Sequence, residues 1–550
     1  MTTIDWSIVV GLNALVFGFG AVWSLKTKSD VDWFLGGRNL PFWLVGMSMF
    51  ATSVDGGEYV SINGVTYRDG MSMLVGPIFG VGVGGIIAAF LVVPTMYRAG
   101  FFTNAEYLES RFGISVRVIS VLVQIQYRTA VLAMIAVSLH LMLTEVAQLE
   151  ALPAWIVIAV LALATTLYAA WGGLKTVAAT DFLLGMIMLT ATLTLWLAIS
   201  DKVGGWDGAQ QTLIEQEGAE TTSVLMRVGV QREGASFPIV GVIGWIVITT
   251  GYFVVNHTQT MKLMGARSLW DLQMSVIVGV SLIMISSYFS CTLGIFGRAL
   301  IPGLERPDMI YPQLIDRYLA SGVKGLVMAG MVASSVSTFE GIGAALSALF
   351  TRDIYARLLE KDASDRHYLN VSRGATVAFV ALSFVYVPFI LSSRTIVDFF
   401  VRITSVFVTP LLTVYLVGVM TRVDRRSAVV GLVIGPIYGL AAMMLGDTAD
   451  SPGVLPAWFT EKFASYLWST LITSLSMLIA SACFRHRPRP EMTTPTPATG
   501  WLARSQNRMD ELRHANSDAD HDGNSWWWRP ELWAVVVLLL AGYRVFVVLW

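Results

Sequence analysis

Two carboxylates stand in the middle of an apolar stretch of this chain. Residues 49–59 read Met-Phe-Ala-Thr-Ser-Val-Asp-Gly-Gly-Glu-Tyr, so two glycines separate Asp55 from Glu58. A helix of this composition is expected to break there. Unwound backbone at membrane depth is tolerated where it lines a cavity, and its carbonyl groups are suitable cation ligands. The alternative is a close helix crossing at the glycines, with the acids paired to Arg128 or Arg402.

A second apolar stretch carries hydroxyl groups at helical spacing. Ser334, Ser337, Thr338 and Gly341 follow one another at i, i+3, i+4 and i+7, and therefore share one helical face. A small hard cation takes several oxygen ligands, which paired hydroxyls and the carbonyls of a broken neighbouring helix supply. The alternative, that the hydroxyls bond to their own preceding turn or pack against another helix, stays open.

Further ionisable side chains lie within or at the start of apolar stretches. They are Arg128, Asp181, Glu340 and Arg402. Ionisable groups inside membrane helices are rare, and they usually face a cavity or pair with one another. Together with the two carboxylates, these residues are the candidates for binding a solute or an ion.

The composition indicates which elements position these residues. Of 550 residues, 55% are hydrophobic and 14% are charged, and the mean hydropathy is +0.64. Soluble domains carry roughly 25% charged residues, so a membrane protein is expected. The net charge of −1 gives no indication of a nucleic-acid partner. An enzyme is not expected either, since neither a metal-ligand cluster nor a nucleophile with a nearby base is evident.

About 14 apolar stretches are long enough to cross a bilayer as helices. They predict an all-α polytopic membrane protein. Numbered spans 1 to 14, the stretches lie near residues 5–25, 41–66, 73–98, 116–146, 152–171, 179–200, 237–257, 274–300, 322–350, 372–392, 396–420, 427–446, 464–484 and 531–549.

The loops between the spans alternate in basic content, with about 24 Lys and Arg residues on one side and about 10 on the other. The rich side, which includes Lys262, is predicted to be cytoplasmic, so both termini are predicted to face outward across the inner (plasma) membrane. The predicted divisions are an N-terminal helix 1–30, a core 31–425 with halves 41–200 and 237–420, two additional helices 426–484, a flexible cytoplasmic linker 485–530, and a last span 531–550.

Four loop motifs resemble those of the sodium/solute symporter family, which includes bacterial proline, sugar and sialic acid transporters. The motifs are Phe-Leu-Gly-Gly-Arg-Asn-Leu at 34–40, Thr-Asn-Ala-Glu-Tyr-Leu-Glu-Ser-Arg-Phe-Gly at 103–113, Gly-Gly-Leu-Lys at 172–175 with Thr180 and Asp181, and Phe-Thr-Arg-Asp-Ile-Tyr at 350–355. The resemblance covers roughly residues 30–440. It rests on the shared order and spacing of the four motifs.

The resemblance implies a core of two five-helix repeats in inverted orientation, spans 2–6 and 7–11, that alternate access around a midplane site. The sequence also suggests this independently. Span 2 carries Gly56 and Gly57, and span 7, its counterpart, carries Gly244 and Gly251 ahead of a polar segment at 256–259. Paired discontinuous helices are typical of such repeats.

The resemblance also implies a sodium site. Matched to the family, its ligands are the carbonyls of Ala51, Val54 and Ser334 and the hydroxyls of Ser337 and Thr338. Asp181 matches an acid that serves a second sodium site in some members, but Glu340 and Gly341 stand here where serines are expected. A titratable acid, a proton-linked step or an ion pair is the alternative at Asp181 and Glu340.

For the solute, the resemblance points to side chains from spans 2, 4, 7 and 11. They are Ser53, Asp55, Glu58, Arg128, Asn256 and Arg402. An arginine fork binds a carboxylate with two hydrogen bonds, and an acid is left for an ammonium group. A carboxylate or an amino-acid-like zwitterion is therefore expected, unless these charges neutralise one another.

The resulting hypothesis is sodium-coupled symport of a small organic solute, with sodium as the coupling ion and no organic cofactor. One alternative is a solute sensor that signals to a partner through the linker and span 14. Another is a proton-coupled transporter. The expected partners are the solute and the lipid bilayer, and the sequence identifies no protein partner.

Overall fold

Helices make up nearly all of the computed structural model, which describes residues 1–24, 30–229, 238–391, 396–445, 454–461, 463–484, 499–515 and 526–549. Every predicted span corresponds to a helix, to a helix pair or to part of a helix. In chain order the bounds are Thr3–Ser24, Phe42–Ser53 with Gly56–Asp69, Met71–Ala99, Ile114–Glu145, Ala151–Val203 for spans 5 and 6 together, Pro238–Val254 with His257–Met264, Leu269–Leu300, Val323–Ala348, Asp365–Ser383, Ile396–Met420, Ser427–Leu445, Ala464–Cys483 and Pro530–Tyr543.

Fewer helices than the predicted 14 are able to cross a membrane by length and composition alone. In the described ranges this number is 11, or 12 if the bent pair of span 7 is one span. The other two are spans 2 and 5, whose apolar helices, Phe42–Ser53 and Ala151–Thr165, are shorter. Span 2 falls short because it is broken, and its second half is polar.

Spans 2 and 7 are both discontinuous. Span 2 stops being helical at Val54 and Asp55, and span 7 bends by 56° between its two helices. In each span an Asx residue begins the second helix, with the Asp55 side chain accepting from Glu58 N and that of Asn256 from Thr258 N. Asp and Asn are favoured N-caps because they accept hydrogen bonds from the unpaired amides of the first turn.

The glycines do not themselves form the breaks, contrary to the expectation from sequence. Gly56 and Gly57 begin the second helix of span 2, whereas Gly244 and Gly251 lie within the first helix of span 7. A Cβ at Gly244 would lie 3.1 Å from the Phe463 carbonyl oxygen, so this glycine allows close helix packing.

Spans 5 and 6 join end to end in one long helical element. Gly173 interrupts it with a φ of 64°, in the left-handed region that favours glycine. A Cβ at Gly173 would come within 2.7 Å of the Trp33 backbone. The 172–175 motif therefore provides the kink that lets span 6 return across the protein.

Each terminus contacts a loop that the predicted topology places on the outer side. The Thr2 hydroxyl is 2.6 Å from that of Ser321, at the start of span 9, and Asp5 accepts from Gly322 N at 2.7 Å. At the other end, Val228 N donates to the Leu549 carbonyl at 2.7 Å. Because the loops near 201–236 and 301–321 share a side in the predicted topology, an even number of crossings agrees with these contacts.

The predicted flexible linker contains an ordered helix, so that prediction is wrong for part of its length. Gly500–Ala515 is helical, whereas residues 485–498 and 516–525 lie outside the described ranges. Trp501 is buried and stacks on Tyr368 with ring centroids 4.2 Å apart. This aromatic anchor holds the helix against the transmembrane core.

Candidate functional site

The break of span 2 leaves buried backbone carbonyls without partners among the described residues. Its first helix ends at Ser53, so the carbonyls of the last turn have no following helical amides. Tyr252 donates to the Thr52 carbonyl at 3.0 Å. Among the described residues, none donates to the carbonyl of Ala51 or of Val54. Both residues are buried, and a buried unpaired carbonyl is costly unless a ligand satisfies it.

Span 9 places its hydroxyl face beside this break. A Cβ at Gly56 would lie 3.2 Å from Ser335 Oγ and 3.5 Å from Ser334 Oγ, and one at Gly341 would lie 3.1 Å from Thr52 Cγ2. Ser334, Ser337 and Thr338 are fully buried. The structure therefore places the break of span 2 in contact with the part of span 9 that carries the predicted hydroxyl ligands.

The break of span 7 has a different environment. Both amide N–H groups of Asn104 donate to it, at 3.1 Å to the Val254 carbonyl and at 2.8 Å to the Val255 carbonyl. Gln124 accepts from His257 N at 3.1 Å. Protein side chains thus satisfy the backbone groups at this break. Asn104 belongs to the 103–113 motif, whose role the sequence did not show.

Asp181 lies at the centre of a polar cluster next to the hydroxyl face. It accepts from Ser48 Oγ and from Ser337 Oγ at 2.5 Å each, and from Lys262 Nζ at 2.8 Å. The prediction that Lys262 lies in a cytoplasmic loop is wrong. The second helix of span 7 carries it into the core, where it is fully buried.

Glu340, the other acid of the possible second cation or proton site, lies on the same helix as Ser337. It is fully buried and accepts from Thr180 Oγ1 at 3.2 Å. Thr180 precedes Asp181 in the chain, so both acids pack at the start of span 6.

A cavity of about 140 Å³ opens beside the second half of span 2. Four of the six predicted solute residues line it, namely Ser53, Asp55, Glu58 and Arg128. The aromatic side chains in its wall were not predicted. They are far in sequence from the charged residues, so no local pattern indicates that the two groups lie close together. They are Trp245, Tyr252, Phe253 and Phe400.

Among the described residues, the charged side chains of the cavity form no ion pair with one another within 4 Å. Asp55 accepts from Glu58 N at 2.9 Å, and Glu58 accepts from Ser287 Oγ at 3.4 Å. The Nε of Arg128 has no hydrogen-bond partner among the described residues. The Arg128 guanidinium lies 5.9 Å from the centroid of the Tyr252 ring. The described residues therefore leave the Nε donor of Arg128 unsatisfied.

Two predicted solute residues lie away from this cavity. Asn256 is buried and caps the second helix of span 7. Arg402 is exposed, whereas Phe400, two residues earlier on the same helix, lines the cavity. Residues two apart on a helix point about 200° apart, so the two side chains face opposite ways.

The motifs around residues 103–113 and 350–355 form an ion-pair network at the start of span 4. Arg117 contacts Glu109 and Asp353, and Arg357 pairs with Glu109 at 2.7 Å. Burial alone would raise the pKa of the Glu109 carboxyl, but the Arg117 and Arg357 guanidinium groups hold this pKa below its usual range. These charges stabilise the packing of loops, at a distance from the cavity.

Comparisons with known proteins agree with this geometry. The chain is 26% identical to sodium/glucose cotransporter 4 of Danio rerio, over 96% of this chain and 88% of that protein. It is 25% identical to sodium/myo-inositol cotransporter 2 of Homo sapiens, over 93% and 84%.

Solved structures share the fold. A Na⁺-coupled sialic acid symporter in a substrate-bound outward-open state superposes with a TM-score of 0.75 at 20% identity, over 89% of this chain and 100% of that one. A nucleobase-cation-symport-1 family transporter gives a TM-score of 0.54 at 11% identity, over 87% and 97%. The model of the sodium:solute symporter family matches residues 33–435, which include both broken spans, the hydroxyl face and the cavity. This chain belongs to the sodium:solute symporter family.

Proposed function

We propose that this protein imports a small organic carboxylate or amino-acid-like zwitterion together with sodium. The observation that carries the proposal is the break of span 2, where the unpartnered carbonyls of Ala51 and Val54 lie beside the hydroxyl face of span 9. Carbonyl and hydroxyl oxygens are the ligands that a hard cation prefers.

In this proposal sodium binds to the carbonyls of Ala51, Val54 and Ser334 and to the hydroxyls of Ser337 and Thr338. Thr338 now donates to the Ser334 carbonyl at 3.0 Å, which leaves its own oxygen lone pairs for the ion. Bound sodium ties span 2 to span 9, so it stabilises the state that receives solute from outside.

The cavity supports the choice of solute class. A carboxylate would accept from the guanidinium of Arg128, and Asp55 and Glu58 would bind an ammonium group on the same solute. The relatives bear the names of glucose, myo-inositol and sialic acid, and charged groups of both signs in the cavity favour an acid or zwitterion over a neutral sugar.

The direction of transport follows from the predicted topology. With both termini outside the inner membrane, the cavity lies toward the outer ends of spans 3, 7 and 11. Sodium entry is then favoured by the membrane potential, at about 2.3 kcal/mol per charge per 100 mV. Rocking of the two repeats would open the cavity to the other side.

Thermal unfolding of the purified protein tests the proposal. Amino acids, monocarboxylates and sugars are added one at a time in NaCl or in KCl. We expect a carboxylate or zwitterion to raise the melting temperature in sodium only, because a ligand that binds the folded state stabilises it by mass action. Sodium alone should stabilise by about 2.7 kcal/mol at 100 times its Kd.

The variant Ser337→Ala with Thr338→Ala should lose this sodium-dependent stabilisation. Ser347→Ala is the matched control, because its buried hydroxyl on the same span bonds back to the Ala344 carbonyl at 2.9 Å. An undiminished sodium effect in the double variant would remove these hydroxyls from the site. A solute that stabilises equally in sodium and potassium would contradict sodium coupling.

A further inference from the structure

We propose that the ammonium group of Lys262 occupies the second cation position, beside Asp181, and that this transporter therefore binds one sodium ion per cycle and not two. The inference rests on the proposed function, because it concerns the ions that accompany the solute. In this inference the Lys262 ammonium acts as a tethered cation: it is covalently part of the chain and takes the place of a second sodium ion.

Three oxygens satisfy the Lys262 ammonium. Its Nζ donates to the Ser48 carbonyl at 2.8 Å, to Thr52 Oγ1 at 2.9 Å and to Asp181 Oδ2 at 2.8 Å. An ammonium has three N–H donors, so each has a partner. Since a buried ammonium is costly without such partners, the surrounding oxygens form a built cation site.

The oxygens in this site are those that a metal cation would take. They comprise one carboxylate, one hydroxyl and one backbone carbonyl, and they come from spans 2 and 6. Hard cations bind such oxygens, and a lysine ammonium is a compact point charge that can stand in the same place. The hydroxyls of Ser48 and Ser337 complete the hydrogen bonding of the Asp181 carboxylate.

The charges around Lys262 are already balanced without a second ion. Asp181 neutralises Lys262 in direct contact. Glu340 on span 9 and Arg128 on span 4 also act on the ammonium, with opposite signs. A sodium ion entering beside Asp181 would have to share this carboxylate with the ammonium of Lys262.

Lys262 also positions a ligand of the proposed sodium site. Ser337 donates its hydroxyl proton to Asp181 Oδ1, so the oxygen lone pairs of Ser337 remain available to sodium. Thr52, which accepts from Lys262, lies between Ala51 and Val54 in the chain. The tethered cation thus holds both sides of the neighbouring site.

Sodium binding to the purified protein tests this inference without knowledge of the solute. The amount of radioactive sodium bound at saturation is measured for the wild type, for Lys262→Met and for Lys262→Met with Asp181→Asn. Methionine keeps the length of the side chain and removes the ammonium. The control is Lys324→Met, which removes a 2.8 Å lysine–aspartate pair with Asp316 near the protein surface.

We expect one sodium ion per wild-type chain and per Lys324→Met chain. Lys262→Met should bind two ions with a Hill coefficient that rises toward two, and the double variant should return to one. Two ions bound to the wild type, or one bound to a folded Lys262→Met protein, would overturn the inference alone. If the variants do not fold, the number of sodium ions bound to the wild type still tests the inference, because two bound ions would overturn it. No sodium bound to the wild type would instead overturn the proposed function, and with it the stoichiometry.

Discussion

Spans 2 and 7 are both broken near their middle, yet the backbone groups at the two breaks have different partners. At span 7, Asn104 donates to the carbonyls of Val254 and Val255. At span 2, the carbonyls of Ala51 and Val54 have no donor among the described residues. The neighbouring spans differ as well. The unpaired carbonyls of span 2 lie beside the hydroxyl face of span 9.

The break of span 7 is therefore structural, whereas the break of span 2 is suited to binding a ligand. A buried carbonyl that a side chain satisfies has no need of a ligand, whereas one that is left unpaired gains most when a cation arrives. The two repeats therefore share a discontinuity in the backbone, but one repeat closes it with protein atoms. An ion is expected at the other.

The largest effect is expected from removing the donor at span 7. Asn104→Leu leaves two buried carbonyls unpaired, at about 1–3 kcal/mol each, so the free energy of unfolding should fall by about 2–6 kcal/mol. Denaturant or thermal unfolding measures the loss. Asn370→Leu, at an exposed asparagine, should change stability by less than about 0.5 kcal/mol. Equal stability of the two variants would show that the breaks do not differ in this way.

A smaller effect is expected at the cavity beside span 2. Arg128→Gln should weaken binding of a carboxylate solute by about 2 kcal/mol, or roughly 30-fold, because a charged hydrogen bond is lost. Arg402→Gln, at the exposed arginine, should leave the affinity unchanged. Titration of the solute against protein stability in sodium compares the two variants. The reverse order of effects would place the solute near span 11 instead.

The smallest effect is expected from crowding the break of span 2. A Cβ in Gly56→Ala would meet Met331 Cε and Ser335 Oγ at 3.2 Å, so these side chains of span 9 must give by a few tenths of an ångström. We expect sodium affinity to fall by about 3- to 10-fold, or roughly 1 kcal/mol. Gly251→Ala in span 7 brings a Cβ equally close to Val408, and sodium affinity should not change. A sodium titration of thermal stability provides the comparison.

Local sequence was sufficient to predict the break of span 2 and the hydroxyl face of span 9. Both depend on residues within two helical turns of one another, such as Asp55 with Glu58 and Ser334 with Ser337. The fold and the family relationship were predictable as well, because the spans and motifs follow one another along the chain.

Lys262 could not be placed in the same way. The segment His-Thr-Gln-Thr-Met-Lys-Leu-Met at 257–264 is too polar for an apolar stretch, so the predicted span 7 ended at residue 257. The second helix of span 2 continues for more than three turns beyond the break. A similar continuation of span 7 beyond its own break could have been inferred from this. Arg402 was wrongly assigned to the solute site for another reason. Span 11 is apolar with few polar residues, so its sequence does not indicate which side of the helix faces the cavity.

The helix at Gly500–Ala515 depends on tertiary contacts that the sequence conceals. Its composition is polar, yet Trp501 stacks on Tyr368 and its backbone amide donates to the Lys361 carbonyl at 3.0 Å. A residue more than a hundred positions away supplies each contact. Such pairing requires a structure, or an alignment of many sequences, to detect.

The first helix of span 2 and the second helix of span 7 are joined at both ends, which gives them a mechanical role in common. At the breaks, Gln259 Nε2 donates to Thr52 Oγ1 at 3.2 Å and to Ser53 Oγ at 3.0 Å. At the far ends, Leu40 N donates to the Gly265 carbonyl at 3.2 Å and Arg267 N donates to the Leu40 carbonyl at 3.1 Å. We expect two helices that are joined at both ends to move together, so that an ion bound to one repeat also displaces the other.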